Sequence, residues 1–182
     1  MKKVIALLSV LCLLMGCAAA GAESVGEETT LTRNGCTLTI KPDMLMSTME
    51  NNMVAIYPLA DGIDPASNIL WMIQDMTFEA TEENRKAYIS GIAEEAETQY
   101  KELGIPVQSL EVSDTADVIL AGKAGFSFSI TTSVSMLGEV LTTYQSYMAF
   151  PETGTYFVLT VSDAAQYEAL FAALESMVRW EQ

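Results

Sequence analysis

The 182-residue chain contains no histidine, only three cysteines and few basic side chains. Without histidine it cannot form a Ser-His-Asp or Cys-His nucleophile arrangement, nor a zinc or iron site with histidine ligands. Nine Lys and Arg residues stand against 24 Asp and Glu residues, so the net charge is −15. Such an acidic surface repels the phosphates of DNA and RNA. The sequence therefore predicts a protein that is not an enzyme, holds no cofactor and does not bind nucleic acid.

The first residues have the features of an export signal. Lys2 and Lys3 supply positive charge, and the stretch from Val4 to Met15 is apolar apart from Ser9. This stretch has the length of the apolar region of a secretory signal and is too short to span a bilayer. The beginning of the chain therefore predicts export from the cytoplasm.

The segment Leu14–Cys17 resembles the lipobox of bacterial lipoprotein signals. In that family the signal is cut before the cysteine, and the new N-terminal cysteine is lipidated. The resemblance implies a signal peptide over residues 1–16, lipidation of Cys17 and an extracytoplasmic protein anchored to the cell membrane by its lipid. The A-x-A site at Ala20–Ala22 is an alternative, because cleavage before Glu23 would release a secreted protein.

The exported chain is predicted to form one domain behind a short linker. Residues 17–30 are predicted to be a flexible tether, because they carry no apolar period. Residues 31–182 are long enough for one domain with a sizeable core and too short for two. Lys2 and Lys3 are lost with the signal, so the exported chain is more negative than the whole sequence.

Cys36 is the one thiol that remains, because Cys12 leaves with the signal and Cys17 is predicted to be lipidated. An intramolecular disulfide is therefore excluded. Cys36 lies in the alternating run Thr32–Lys41, which is predicted to be a half-buried strand after an Asn34-Gly35 turn. We interpret Cys36 as a small buried hydrophobic residue and not as a nucleophile.

The rest of the chain alternates strand patterns with two amphipathic helices. We predict a loop or a short helical turn over Met44–Asn52, because that stretch is polar and rich in methionine. A helix is predicted after the N-cap Thr81. Its apolar face would comprise Ile89, Ala93, Ala96, Tyr100 and Leu103. Strands are predicted at Met53–Leu59, Ile69–Phe78, Val107–Val112, Asp117–Ala121, the region around Phe126–Thr131, Val140–Phe150 and Thr155–Val161.

A second helix is predicted at the C-terminal end of the chain. Asp163 would cap it, with Gln166 as the partner in a capping box. Its predicted buried stripe consists of Tyr167, Leu170, Phe171, Leu174 and Val178. Hairpin-length links between the late strands favour an antiparallel sheet. The predicted fold class is therefore α+β, an antiparallel β-sheet packed by two amphipathic helices.

Several motifs in residues 105–180 resemble the PsbP-like fold. They are Gly122–Phe126, the strand end Tyr147–Phe150, the strand Gly154–Thr160, the final helix Tyr167–Met177 and Trp180. This fold is shared by the PsbP subunit of photosystem II, the DcrB-type envelope lipoproteins and the Ran-binding Mog proteins. The resemblance implies a PsbP-like sandwich that acts as a non-enzymatic binding or assembly module, and it assigns no site residue.

Three groups of side chains are candidate sites. Asp61 and Asp64 share a loop and could bind calcium, although an Asx-turn is the better interpretation. The carboxylates of Glu94, Glu95 and Glu97 are predicted to lie on the exposed side of their helix, where they would do no catalysis. The thioether sulfur of methionine can bind Cu(I), which is a soft ion. Packing in the core is the better interpretation of the four methionines in this region, Met44, Met46, Met49 and Met53.

Two functions follow from the sequence. The first is an exported, membrane-anchored lipoprotein that acts as a non-catalytic binding or assembly module at the bacterial cell envelope, with an unidentified envelope protein as partner. The alternative is an extracytoplasmic carrier of a small ligand or metal, with a pocket between sheet and helix.

Overall fold

The computed structural model describes residues 22–49, 53–59, 63–74, 77–136 and 138–181. Two helices lie in these residues, α1 over Glu82–Glu102 and α2 over Tyr167–Met177. A short 3-10 turn, Ala164–Gln166, leads into α2. The strands are β1 Glu23–Ser24, β2 Thr29–Arg33, β3 Cys36–Ile40, β4 Met44–Met49, β5 Met53–Pro58, β6 Asn68–Ile73, β7 Val107–Val112, β8 Ala116–Leu120, β9 Lys123–Met136, β10 Glu139–Phe150, β11 Thr155–Val161 and β12 Val178–Trp180.

Most strands join one antiparallel sheet. Among the described residues this sheet has nine strands: eight follow the order β1-β4-β5-β6-β11-β10-β9-β7, and β8 pairs with β9 beyond the end of β7. A second sheet of three strands has the order β12-β3-β2. Its β2–β3 hairpin turns at Asn34 and Gly35, which both have positive φ, 49° and 70°. Such values suit an Asn-Gly turn, and the predicted turn is confirmed.

Helix α1 covers one face of the main sheet. Thr81 caps it, because the Thr81 hydroxyl accepts a hydrogen bond from the Asn84 amide at 3.3 Å. Beneath the helix lies an aromatic cluster in which the Tyr88 ring stacks on that of Tyr156, with centroids 5.5 Å apart. Its other members are Phe78, Phe126, Phe128 and Tyr147.

The buried stripe of α1 is rotated from the predicted one. Ile92, Ala96, Gln99 and Tyr100 are buried, whereas Leu103 is 44% exposed. Leu103 is exposed because it is the C-cap residue, where the chain leaves the helical path. The predicted members Ala96 and Tyr100 do face the sheet.

Helix α2 and the three-stranded sheet together cover the other face of the main sheet. Leu170, Leu174 and Met177 of α2 are fully buried and join one cluster with Trp71 and Phe157 of the main sheet. Trp180 of β12 closes the end of this layer, since its indole N–H donates to the Leu120 carbonyl at 2.8 Å. The predicted α+β class, with an antiparallel sheet and two amphipathic helices, is confirmed.

Several segments differ from the sequence prediction. The strand predicted over Ile69–Phe78 ends at Ile73, and Val178, predicted in the buried stripe of the last helix, lies on β12. Met44–Met49 is a strand and not a loop, because it pairs along its length with β5 and turns Met44 into the core. Residues 23–24, inside the predicted tether 17–30, pair with β4, and Val25 is only 6% exposed. The folded region therefore begins ahead of residue 31. The backbone of β1 pairs with β4 and Val25 packs in an apolar site, and neither contact leaves a periodic pattern of apolar residues in the sequence.

Candidate functional site

The predicted lipidation site, Cys17, and the whole signal peptide lie outside the described residues. Lipidation, and the choice between cleavage before Cys17 and cleavage before Glu23, stay predictions. In the portion of the chain that the structure covers, no helix is both long and apolar enough to cross a membrane.

Cys36 is a buried residue of the core. Its side chain is fully inaccessible to solvent, among Leu38 and other apolar neighbours. Burial raises the pKa of the Cys36 thiol to about 12, because an apolar surrounding disfavours the thiolate. A thiol is nucleophilic only as the thiolate, so Cys36 is inert in the folded protein near neutral pH.

Asp64 organises a loop by hydrogen bonding. One carboxylate oxygen accepts from the Ala66 amide at 2.8 Å, and the other accepts from the Ser162 hydroxyl at 3.0 Å. The first of these bonds is the predicted Asx-turn, which is confirmed. Asp61 lies outside the described residues.

Gln166 does not complete the predicted capping box. Asp163 caps the 3-10 turn through the Ala165 amide, at 2.9 Å. The Gln166 side-chain oxygen instead accepts from the Asp64 amide at 3.1 Å and from the Ser67 hydroxyl at 3.0 Å. It therefore ties the loop around Asp64 to the beginning of α2.

Three of the four methionines considered as copper ligands are divided between the two faces of the sheet. The backbone of Met49 pairs with that of Met53, and the side chain of Met49 lies outside the described residues. Met44 and Met46 belong to the core under α2, whereas Met53 belongs to the aromatic cluster under α1. They lie on opposite faces of the sheet. Across the residues that the structure describes, no group of three or more His, Cys, Asp or Glu side chains is placed to hold a metal ion.

The three helix carboxylates do not share one environment. Glu94 and Glu97 are exposed, as predicted, but Glu95 is half-buried. The prediction for Glu95 is therefore wrong, because the buried stripe of α1 is rotated by about one residue toward it.

A cavity of about 390 Å³ lies on the side of the main sheet where the layer formed by α2 ends. We call it the hydroxyl groove. Its side chains come from β9, β10 and the first residue of α2: Ser127, Ser129, Thr131, Tyr144, Ser146 and Tyr167. The loop between β7 and β8, with Ser113 and Asp114, contributes to the opposite wall.

The alternation of β9 produces the floor of this groove. Phe126, Phe128 and Ile130 are buried toward α1. Successive side chains of a strand point to opposite faces, so Ser127, Ser129 and Thr131 face away from α1. Helix α2 packs over β11, β6 and β3, and leaves the polar side of β9 open to solvent.

Hydrogen bonds hold the walls in place. The Ser146 hydroxyl donates to the Tyr167 hydroxyl at 3.3 Å, which connects β10 to the beginning of α2. On the other side, the Ser129 amide donates to the Ser113 hydroxyl at 2.8 Å. The Ser113 amide donates to the Ser129 carbonyl at 2.9 Å. This reciprocal pair fixes the loop between β7 and β8 against β9.

The groove is nearly neutral. Among the described residues that line it, Asp114 is the only one with a carboxylate, and none has a positive charge. Hydroxyl groups both donate and accept hydrogen bonds, and tyrosine adds an apolar ring with a polar tip. The arrangement suits a polar partner and provides no strong anion site.

A second cavity, of about 430 Å³, lies between the beginning of α1 and the β8–β9 hairpin. Its charges are paired with one another. Arg85 lies 2.7 Å from Asp117 and stacks over the Phe126 ring at 5.1 Å, while Lys123 lies 3.7 Å from Glu152. We interpret these pairs as ties between α1, β8 and the β10–β11 turn.

The polar side of β9 is visible in the sequence, but the groove is not. The pattern Phe-Ser-Phe-Ser-Ile-Thr over residues 126–131 already separates two faces. The walls come from Ser113 and from Tyr167, which are distant in sequence. Only tertiary packing brings them to β9, so no local signal could have predicted the cavity.

Comparisons with known proteins bear on the fold. The chain matches no protein-family model and no curated protein. Among solved structures it is similar to cyanobacterial PsbP (CyanoP) from Synechocystis, with a TM-score of 0.53 and 11% identity over 86% of this chain and 94% of that one. It also matches LpqN of Mycobacterium tuberculosis, a protein involved in cell envelope biogenesis, with a TM-score of 0.36 and 16% identity over 86% and 91% of the two chains. The chain has a PsbP-like fold, and the resemblance in its sequence motifs is confirmed.

Proposed function

We propose that this protein is a non-catalytic binding module of the bacterial cell envelope, exported and held at the membrane by a lipid on Cys17. The observation that carries the proposal is the hydroxyl groove. Its volume of about 390 Å³ falls within the range of small binding sites, roughly 300–1,000 Å³.

The chemistry of the groove favours binding over catalysis. General acid–base catalysis commonly uses a pair of groups that exchange protons with the reacting atoms. The described lining offers one carboxylate, Asp114, together with hydroxyl groups and aromatic rings. Such a lining forms many neutral hydrogen bonds, which provide recognition without transferring a proton.

The position of β1 limits how far the module could reach from the membrane. β1 begins at Glu23, six residues after Cys17. An extended chain spans at most 3.3–3.6 Å per residue, so this linker reaches roughly 20 Å. A lipid on Cys17 would therefore keep the domain close to the headgroups, and we expect a partner that is itself in or near the membrane.

Photo-crosslinking tests the binding proposal. Benzoylphenylalanine placed at Ser129, in the groove, should yield an adduct in intact cells of the source bacterium. The same group at Glu94, on the exposed side of α1, is the matched control. An adduct at Ser129 and not at Glu94 supports the proposal. Equal adducts at both positions, or none at Ser129, would contradict it.

The groove also favours the second candidate, a carrier of a small ligand, because it lies between the sheet and the beginning of α2. The same experiment separates the two functions. Mass spectrometry of the Ser129 adduct will show either a peptide of a second protein, as a binding or assembly module requires, or a small molecule, as a carrier requires.

The anchor is tested separately. Cys17→Ser should move the protein from the membrane fraction to the soluble fraction, because only the lipid is expected to hold it there. Ala20→Leu, which disrupts the alternative cleavage site, is the control and should leave the membrane fraction unchanged. A mature protein that begins at Glu23 would contradict the anchor.

A further inference from the structure

The main sheet has an uncovered edge beside the hydroxyl groove. β11 pairs with β10 only as far as Val161, which lies opposite Tyr144. The preceding residues of β10, Glu139–Thr143, pair with β9 on one side, and no strand of the described residues pairs with them on the other. We call Glu139–Thr143 the open edge.

The open edge has backbone groups available for another strand. In an antiparallel ladder, successive residues bond alternately to one neighbouring strand and to the other. The N–H and C=O groups of every second residue in the open edge therefore point away from β9. The open edge is largely exposed, so these groups can bond to water, and a strand added at this edge would take the place of that water.

The side chains of the open edge are suited to contact with a partner. Val140 is 56% exposed and Leu141 is 47% exposed. Sheet edges in monomeric proteins are usually protected by lysine, proline or very short strands. The open edge has five residues and neither lysine nor proline. Of the strands at the outer edges of the main sheet, β1 is only two residues long, while β7 and β8 have six and five residues and also lack lysine and proline. The open edge differs from them because it lies within the sheet, beside the end of β11.

Charge identifies the kind of partner. Between Lys123 and Arg179 the sequence has no Lys or Arg at all. The open edge begins with Glu139, and Asp114 lines the adjoining groove. The described residues of the groove lining and the open edge together carry two carboxylates, Asp114 and Glu139, and no basic side chain, and the cation that interacts with Asp114 is Lys86 of α1. With a net charge of −15 over the whole chain, the region favours a positively charged segment.

We propose that the open edge binds an extended, basic segment of a partner protein as an added β-strand. Tyr144, the residue of β10 that follows the open edge, lines the groove, so the added segment can continue into the groove. A second copy of this chain is a poor occupant, because two molecules of net charge −15 repel each other. The inference deepens the proposed function and rests on it.

Peptide binding to the purified full-length protein provides the test. The probe is the capped peptide Lys-Val-Lys-Thr-Lys-Val-Lys, and the control peptide has Glu in place of every Lys. Hydrogen exchange followed by NMR should show that the basic peptide slows exchange at alternate amides of Glu139–Thr143. Binding should weaken steadily as salt is added, because exposed charges are screened over about 8 Å at physiological ionic strength.

Variants separate strand addition from general electrostatic attraction. Val140→Lys should weaken binding of the basic peptide at least about tenfold, because like charges at an interface are unfavourable. Val140→Glu should preserve or tighten it. Ile119→Lys places the same charge on another exposed apolar residue, 68% exposed on β8, and should leave binding unchanged. Melting temperatures will show that each variant is folded.

Four results would overturn the inference. They are protection at another edge strand (β2, β7 or β8) in place of the open edge, no protected amide at all, equal weakening by Val140→Lys and Ile119→Lys, and a stable homodimer in sedimentation without peptide. The Ser129 adduct does not depend on any of these, so the inference can fail while the proposed function stands.

Discussion

β11 and β9 belong to the same sheet but have opposite surroundings. All seven residues of β11 are buried, whereas β9 alternates between buried and half-buried positions along most of its length. Both strands are covered by the aromatic cluster and α1 on one face. On the other face, β11 lies under α2 and the small sheet, while Ser127, Ser129 and Thr131 of β9 lie in the groove.

The difference shows how one sheet can serve both stability and recognition. The layer formed by α2 and the small sheet is narrower than the main sheet. Where that layer ends, polar side chains replace apolar ones on the same face, and the backbone of β10 becomes available as the open edge. We expect changes around β11 to affect folding and changes around β9 to affect binding.

The largest expected effect is alkaline unfolding of the buried region. Burial raises the pKa of Tyr156 on β11, from its ordinary 10.0, to about 12, and that of Cys36, from 9.0, to about 12. Between the ordinary pKa and the raised pKa of each group, the unfolded chain has released the proton of that group while the folded chain retains it. Stability is therefore complete below about pH 9 and is lost as the pH rises toward 12, by about 1.4 kcal/mol per pH unit for each group.

Circular dichroism during alkaline titration, combined with urea unfolding, measures this loss. Tyr156→Phe and Cys36→Ala each remove one titrating group, so each should make the free energy of unfolding less steep in pH. A free energy of unfolding that does not change from pH 9 to pH 11 would show that these groups are not protected by burial.

Leu174→Ala should destabilise the fold by about 2–5 kcal/mol, because it leaves a cavity at a fully buried site under α2. Glu175→Ala, at the exposed neighbouring position, is the matched control and should change stability by less than about 0.5 kcal/mol. Urea denaturation measures both. A loss below about 0.5 kcal/mol for Leu174→Ala would place this face of α2 in solvent.

Gly125→Ala should cost about 1–3 kcal/mol, a typical penalty for overpacking. Gly125 lies on β9 where the covered region gives way to the groove. A Cβ at this position would lie 2.5 Å from the Ala149 carbonyl oxygen and 2.7 Å from Cδ1 of Phe150. Ser127→Ala, two residues along the same face, is the control. Equal melting temperatures for the two variants would mean that both the Ala149 backbone and the Phe150 ring move aside without penalty.

Patterns among residues close in sequence predicted most of the region around β11, where both faces of the main sheet are covered. The strands at β3, β5 and β11 and the Thr81 cap are all encoded by nearby residues, through apolar patterning or a side chain that bonds to its own backbone. The strand β4 was missed because Met44 and Met46 look like gap fillers in sequence. Their strand character comes from pairing with β5, a contact that periodicity does not report.

The groove and the open edge were less predictable for a physical reason. Ser127 and Ser129 show in the sequence that one side of β9 is polar. The sequence does not distinguish a polar face that lines a cavity from a polar face on the open surface. The open edge exists because β11 ends at Val161 while β10 continues to Glu139. Relative strand lengths are set by tertiary packing, so they appear only in the folded structure.

The smallest expected effect on stability belongs to Ser129. Its backbone amide, not its hydroxyl, holds Ser113, so Ser129→Ala keeps that bond and should change stability by less than about 0.5 kcal/mol. With benzoylphenylalanine at Thr131 as the reporter, Ser129→Ala should reduce the crosslinked adduct, because one hydroxyl group of the groove is lost. A destabilisation above about 1 kcal/mol for Ser129→Ala, or an undiminished adduct, would mean that β9 serves the fold on both faces, as β11 does.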